Sequence, residues 1–230
     1  MTAKKPIYLL AGGRGGADMT PILKAVFADI GATNPTIAYV GAANGDNHAF
    51  FERMAAMMRS VAKCRIVNAV TQPDDADVEK AVKAIKSADA IFVSGGDVEA
   101  GMDVLQKRGI TGLFCDMYEG GKLLFGVSAG SIMLAREWVR WRDPDDDSTA
   151  ELFPCLGVAP VLCDTHGEAD NWEELKAAVA LCPNGALGFG ITSGACLKVM
   201  PAGGVAALGG PISRYTRHGK TVRKESDLTA

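Results

Sequence analysis

From Ile7 to Arg136 the chain alternates short, mostly uninterrupted apolar runs with segments of helical spacing, a pattern that few folds accept. The strand runs are Ile7–Ala11, Ile37–Val40, Arg65–Val70, Ala90–Val93 and Leu123–Val127, all apolar throughout except Arg65–Val70, which includes Arg65 and Asn68. Between them the spacing predicts a helix opened by Pro21 and stopped near Gly31, then helices over Phe50–Val61, Asp77–Ser87, Val98–Lys107 and Thr111–Tyr118. A further helix, Ala129–Arg136, follows the fifth strand. Strands that lack polar alternation are buried on both faces, and a helix after each strand returns the chain for a parallel neighbour. The expected class is therefore α/β, a three-layer sandwich around a mostly parallel central sheet.

After Arg136 the texture changes. Residues 137–156 read as a polar loop containing Asp145-Asp146-Asp147. A strand over Gly157–Cys163, a helix over Trp172–Ala180 and several short strands with glycine-rich turns come next. The charged tail Lys220–Ala230 is expected to fray. No repeat, linker or shift in composition marks a boundary, so residues 1–230 are read as one domain. At 230 residues and 48% hydrophobic, the chain can bury a substantial core.

The same numbers exclude several functions. A net charge of −3 offers no basic face, so no nucleic acid is expected as a partner. No run approaches the ~18 apolar residues of a membrane span, and Ile7–Ala11 is too short for the core of a signal peptide. The six cysteines, at 64, 115, 155, 163, 182 and 196, include no Cys-x-x-Cys pair and mostly sit in apolar runs. They read as reduced structural thiols, which places the protein in the cytoplasm. Gly12-Gly13-Arg14-Gly15-Gly16 follows a strand but fits a dinucleotide fingerprint only loosely. The strand Ile37–Val40 ends in Gly41-Ala42-Ala43, without the acidic residue a ribose needs.

The segment Leu123-Leu124-Phe125-Gly126-Val127-Ser128-Ala129-Gly130-Ser131 is a strand, a Gly-x-Ser-x-Gly turn and a helix start. This is the context of a nucleophile elbow. A serine projecting from so tight a turn needs small neighbours two residues away on each side, and Gly126 and Gly130 supply them. The helix that follows turns its first N–H groups toward the place where an oxyanion forms. Such a serine needs a base. Of the three histidines, His166 stands just past a strand, whereas His48 and His218 read as solvated turn residues. An acid must orient the imidazole. Glu137, Asp143, Asp145, Asp146 and Asp147 are all candidates. A second glycine signature, Val93-Ser94-Gly95-Gly96-Asp97, ends a strand and opens a helix with Asp97 as N-cap. It can present backbone N–H groups beside the elbow.

Together, Val93-Ser94-Gly95-Gly96, Gly126-Val127-Ser128-Ala129-Gly130 and Asp164-Thr165-His166 resemble the dipeptidase E family of serine peptidases. That family has a class I glutamine amidotransferase-like fold, and the resemblance spans most of the chain. It implies a Ser-His-Asp/Glu triad and an acyl-enzyme, with Ser128 as nucleophile and His166 as base. The family's acid lies about fifteen residues after the serine, which lands on Asp143. The implied oxyanion donors are the N–H groups of Gly96 and Ala129. No metal and no organic cofactor are implied. The implied partner is a small peptide substrate, with no membrane, and the assembly a monomer or homodimer. Two departures bear on specificity. Asp97-Val98 stands where relatives carry Asn-Thr, and Gly167–Glu174 is acidic where aspartyl dipeptidases carry an arginine. Weak or absent aspartyl dipeptidase activity is the expectation, unless Arg14, Arg136, Arg140 or Arg142 reaches the site. The competing readings are an α/β-hydrolase-type esterase and a non-catalytic amidotransferase-like binding module.

Overall fold

A computed structural model describes residues 3–13, 16–72 and 74–229. Its strands β1 (Ile7–Leu10), β2 (Thr36–Val40), β3 (Arg65–Asn68), β4 (Ala90–Val93) and β5 (Leu123–Val127) run parallel in the order β1-β5-β4-β2-β3. Beyond β1 the sheet continues antiparallel through β10 (Cys196–Val199) and β11 (Val205–Leu208), making seven strands. Helices α1 (Thr20–Ile30) and α2 (His48–Val61) cover one face. The other face is covered by α3 (Val78–Ser87), α4 (Val98–Lys107), α5 (Thr111–Glu119) and α6 (Ala129–Leu134).

The two-residue period of a strand divides the core. Tyr8, Leu10, Ile37, Tyr39, Phe92 and Phe125 point to the α1–α2 side. Their neighbours Ile7, Leu9, Ala38, Val40, Ile91 and Leu124 point to the other. Phe92 touches both Phe125 and Tyr39, with ring centroids 4.9 and 5.6 Å apart. Full burial of each such ring contributes about 1.5–3 kcal/mol. Local signals set the helix ends. Pro21 sits in the first turn of α1, and Gly31 closes it at φ 69°. Asn47, Asp77 and Asp97 cap α2, α3 and α4 by accepting from Phe50, Lys80 and Ala100 N–H.

The later residues add a smaller layer. The hairpin strands β6 (Glu137–Trp141) and β7 (Ala150–Pro154) pair with each other. A four-stranded sheet has the order β13-β12-β9-β8, with β8 (Leu162–Thr165), β9 (Leu187–Ile191), β12 (Ile212–His218) and β13 (Thr221–Leu228). Helix α7 (Glu173–Leu181) links the parallel pair β8 and β9, and packs Leu175 and Val179 against Leu162 and Tyr215.

The structure departs from the sequence expectations in three places. Residues 137–156 are largely a hairpin rather than a loop. The aspartates concentrate in its turn, where Asp143 and Asp146 accept from Asp145 and Ser148 N–H, while Val139 is fully buried. Strand β8 begins at Leu162, not Gly157, because Gly157 has φ 67° and Pro160 has no N–H to give a ladder. The charged tail is ordered rather than frayed over its described residues: β13 pairs with β12 through Leu228, and Ala230 lies outside the described residues.

The six cysteines are unpaired, and burial pushes the Cys155 thiol up to about 12, which disfavours its thiolate. Among the described residues no helix is long and apolar enough to cross a membrane.

Candidate active site

Strands β1, β5 and β4 are adjacent, and their C-terminal ends open one crevice, the usual place for chemistry in a parallel sheet. Ser128 stands there between β5 and α6 with φ 53° and ψ −126°. For a residue with a β-carbon this conformation costs of order 1–3 kcal/mol, and it persists only where the surroundings enforce it. Here Ser128 N–H donates to Leu10 O at 2.8 Å, and the Ser131 hydroxyl donates to the same carbonyl at 2.8 Å. The two flanking glycines are obligatory. A Cβ on Gly130 would lie 2.1 Å from Val93 O, and one on Gly126 would lie 2.5 Å from Gly130 O.

The second glycine turn faces the elbow. A Cβ on Gly95 would lie 3.1 Å from Ser128 Cβ, so the turn and the serine are in contact. Gly96 has φ 150°, and a Cβ there would meet Ala43 O at 1.9 Å. Asn44 holds this turn by donating to Ser94 Oγ at 2.9 Å and Gly95 O at 3.0 Å. The sequence reading missed Asn44, and only its proximity across β2 and β4 reveals the role.

His166 follows β8 directly, at φ 65°, and lines the same crevice as Ser128 and Gly96. Its Nδ1 lies 3.1 Å from Ser193 Oγ. Ser193 N–H in turn donates to a Glu168 carboxylate oxygen. Burial pushes Glu168 up, but hydrogen bonds from Ser193 and the nearby His166 outweigh it and hold the carboxyl below its usual range. Asp143 is placed elsewhere, in the exposed turn between β6 and β7. It does not line the crevice, because the hairpin carries its turn out into solvent. Of the other candidates, Asp145, Asp146 and Asp147 share that turn, and Glu137 lies 3.9 Å from Arg136. His48 is exposed at the start of α2, 3.8 Å from Glu52, and His218 lies at the end of β12, 3.4 Å from Glu225.

The crevice has two lobes, and Ser128, Gly96 and His166 line both. The larger, about 960 Å³, is walled by Phe50, Arg53, Met54 and Met57 of α2. The smaller, about 250 Å³, carries Asp97, Asp164, Asp170 and Glu174 beside Trp138. Burial first, then Glu174, Asp170 and Glu168, push Asp164 up to about 7 against the opposing N–H of Thr165. Burial and Asp170 likewise raise Glu174. Arg136, Arg140 and Arg142 are engaged with Glu137, Glu99 and Glu151. Arg14 lies outside the described residues. Arg53, unremarked in the sequence, is the arginine on the wall among the described residues. Among the described residues, no group of three or more His, Cys, Asp or Glu is arranged to hold a metal ion.

The raised Asp164 carries a stability signature. Between the ordinary value of 3.8 and about 7, the folded chain keeps a proton that the unfolded chain has released. Stability from this group is therefore highest below that window and falls as pH rises through it. Asp164→Asn is expected to raise the melting temperature by several degrees at pH 8 and to match the parent near pH 4. Thermal denaturation at the two pH values measures this, and equal shifts at both would contradict it.

The model of peptidase family S51 matches residues 7–200. No curated protein matches the chain. Among solved structures, a peptidase from an acI-B1 actinobacterium is similar with a TM-score of 0.71 and 16% identity, over 99% of this chain and 97% of that one. A putative peptidase E protein from Listeria monocytogenes EGD-e is similar with a TM-score of 0.65 and 14% identity, over 90% of this chain and 98% of that one. At these identities the two likenesses show a shared fold. With the family model covering most of the chain, including the elbow and the histidine strand, the chain belongs to peptidase family S51, the dipeptidase E family, and is a serine peptidase.

Proposed function

We propose that the protein hydrolyses small peptides with Ser128 as nucleophile and His166 as general base. The observation that carries this reading is the left-handed backbone at Ser128, an unfavourable conformation at the mouth of a crevice that His166 also lines. In this reading His166 Nε2 takes the hydroxyl proton as Oγ attacks the substrate carbonyl. The N–H groups of Gly96 and Ala129 hold the oxyanion. The imidazolium then gives its proton to the leaving amine, and an acyl-Ser128 remains. Water, deprotonated by the same histidine, releases the acid and restores the serine.

The lobes suggest how a peptide lies. The acidic lobe suits a free amino group, and Arg53 in the larger lobe suits a carboxylate. An acidic N-terminal side chain has no cation beside Asp97, Asp164, Asp170 and Glu174 among the described residues lining that lobe.

A fluorophosphonate probe tests the assignment without a known substrate, because labelling requires a base-activated hydroxyl beside oxyanion donors. The expected result is modification of Ser128 alone, slowed about 10²- to 10⁴-fold by His166→Ala. Modification at Ser94 or Ser131, or unchanged labelling of His166→Ala, would overturn it.

A further inference from the structure

We propose that the Ser193 hydroxyl, backed by the Glu168 carboxylate, is the group that orients His166, so that a hydroxyl stands between imidazole and acid. This rests on His166 being the base.

Ser193 lies in the turn between β9 and β10, a segment fixed from several sides. Gly194 N–H donates to Gly12 O at 2.8 Å, Ala195 N–H to Thr192 O at 2.9 Å, and His166 N–H to Ile191 O at 3.3 Å. The Thr192 hydroxyl donates to Pro211 O at 2.8 Å. The serine is therefore presented to the histidine by a rigid turn. Ser193 Oγ lies 3.1 Å from His166 Nδ1. Its backbone N–H donates to a Glu168 carboxylate oxygen, which brings that carboxylate to the same serine.

The donor count fixes the direction of these bonds. Glu168 is ionised, so its carboxylate only accepts, and in the proposed bridge the Ser193 hydroxyl gives its one proton to it. The lone pairs left on Ser193 Oγ can then only accept, so Nδ1 must carry the proton. That tautomer leaves Nε2 bare, as a base toward Ser128 must be. When Nε2 takes the serine proton, the imidazolium charge is met by the Ser193 dipole and, beyond it, by Glu168. No proton needs to leave Nδ1. Ser193 and Glu168 are positioning residues: they act through the histidine and not on the substrate.

Arg53 lines the larger lobe with His166, and the acidic groups facing the histidine among the described residues are Asp18 in that lobe, Glu168 and Asp170 on its own loop, Asp164 at the end of β8, Asp97 at the start of α4 and Glu174 on α7. Any of these acids can raise the histidine's titration point. The test must therefore separate a general acidic field from the specific bridge. Ser193→Ala removes the bridge and leaves every charge in place.

The experiment follows the fluorophosphonate labelling rate of Ser128 from pH 5 to 9, alongside ring-nitrogen NMR. The chain has only three histidines, so His166 can be resolved from His48 and His218. Ser193→Ala is expected to slow labelling about 10- to 100-fold. The same variant should lose the Nδ1–H tautomer preference of His166, and Ser193→Thr should restore both. Glu168→Gln removes a negative charge and should move the rising limb of the profile to lower pH. If Ser193→Ala labels within twofold of the parent and keeps the tautomer, the proposal is overturned. If Ser193→Ala does not fold, the tautomer of His166 in the parent decides: a proton on Nδ1 supports the bridge, and a proton on Nε2 with Nδ1 bare refutes it. Should His166→Ala label normally, the base assignment itself fails, which is a separate outcome from the loss of the bridge alone.

Discussion

Ser128→Ala is expected to abolish peptide hydrolysis, with turnover reduced by about 10⁶ and the fold intact. In the proposed mechanism the loss is large because the hydroxyl forms the acyl bond, and no oxyanion donor can replace a missing nucleophile. The fold should survive because alanine keeps the β-carbon and the contact with the Gly95 turn. Ser128→Gly sharpens the test. Glycine adopts φ 53° without strain, so this variant should be inactive yet more stable than the parent, by about 1 kcal/mol. Steady-state hydrolysis and thermal denaturation on the three proteins would decide it. Activity within tenfold of the parent in either variant would remove Ser128 from the mechanism.

The second large effect concerns the substrate. Asp-Leu is expected to be cleaved with kcat/KM at least about 100-fold below Ala-Leu, and Lys-Leu to match or exceed Ala-Leu. Unpaired like charges brought together in a partly desolvated site cost several kcal/mol, and the small lobe holds four carboxyl groups. The discrimination should grow with pH, since Asp164 is only about half ionised near pH 7. At the other end of the dipeptide, Arg53→Ala should raise KM for Ala-Leu but not for its C-terminal amide. A preference for Asp-Leu would defeat the charge argument and direct attention to Arg14.

Much of this was legible in the sequence, and the reason is locality. Ala90–Val93, Val98–Lys107 and Leu123–Val127 have the observed bounds because strand runs, caps and breakers are written in adjacent residues. The elbow was readable for the same reason, since its two glycines and its serine lie within five positions. The hairpin 137–154 was hidden by its own turn, where the aspartates outweigh the alternation of Trp138, Val139 and Arg140. The histidine's partner was hidden more deeply. Counting residues from Ser128 assigns Asp143, but distance along a chain carries no direction, and β6 takes that count out to a solvent-facing turn. Ser193 reaches His166 only because β8 and β9 pair in parallel with Thr165 opposite Ile191. Nothing in the local sequence of either residue announces that register.

The ladder formed by β12 and β13 has a consequence for how the molecule behaves in a crowd. As the outermost member of its sheet, β13 leaves one row of backbone N–H and C=O groups open to any extended chain that drifts past. Such a border is where foreign strands add and where fibrils start. The residues there are Arg223, Lys224, Glu225 and Asp227, nearly all exposed, with Lys224 and Asp227 paired at 3.5 Å. A newcomer docking along the border would have to strip water from this row of mixed charges. The run Thr221–Leu228 therefore works as a guard rail, ending the sheet in a margin to which other polypeptides gain little by sticking.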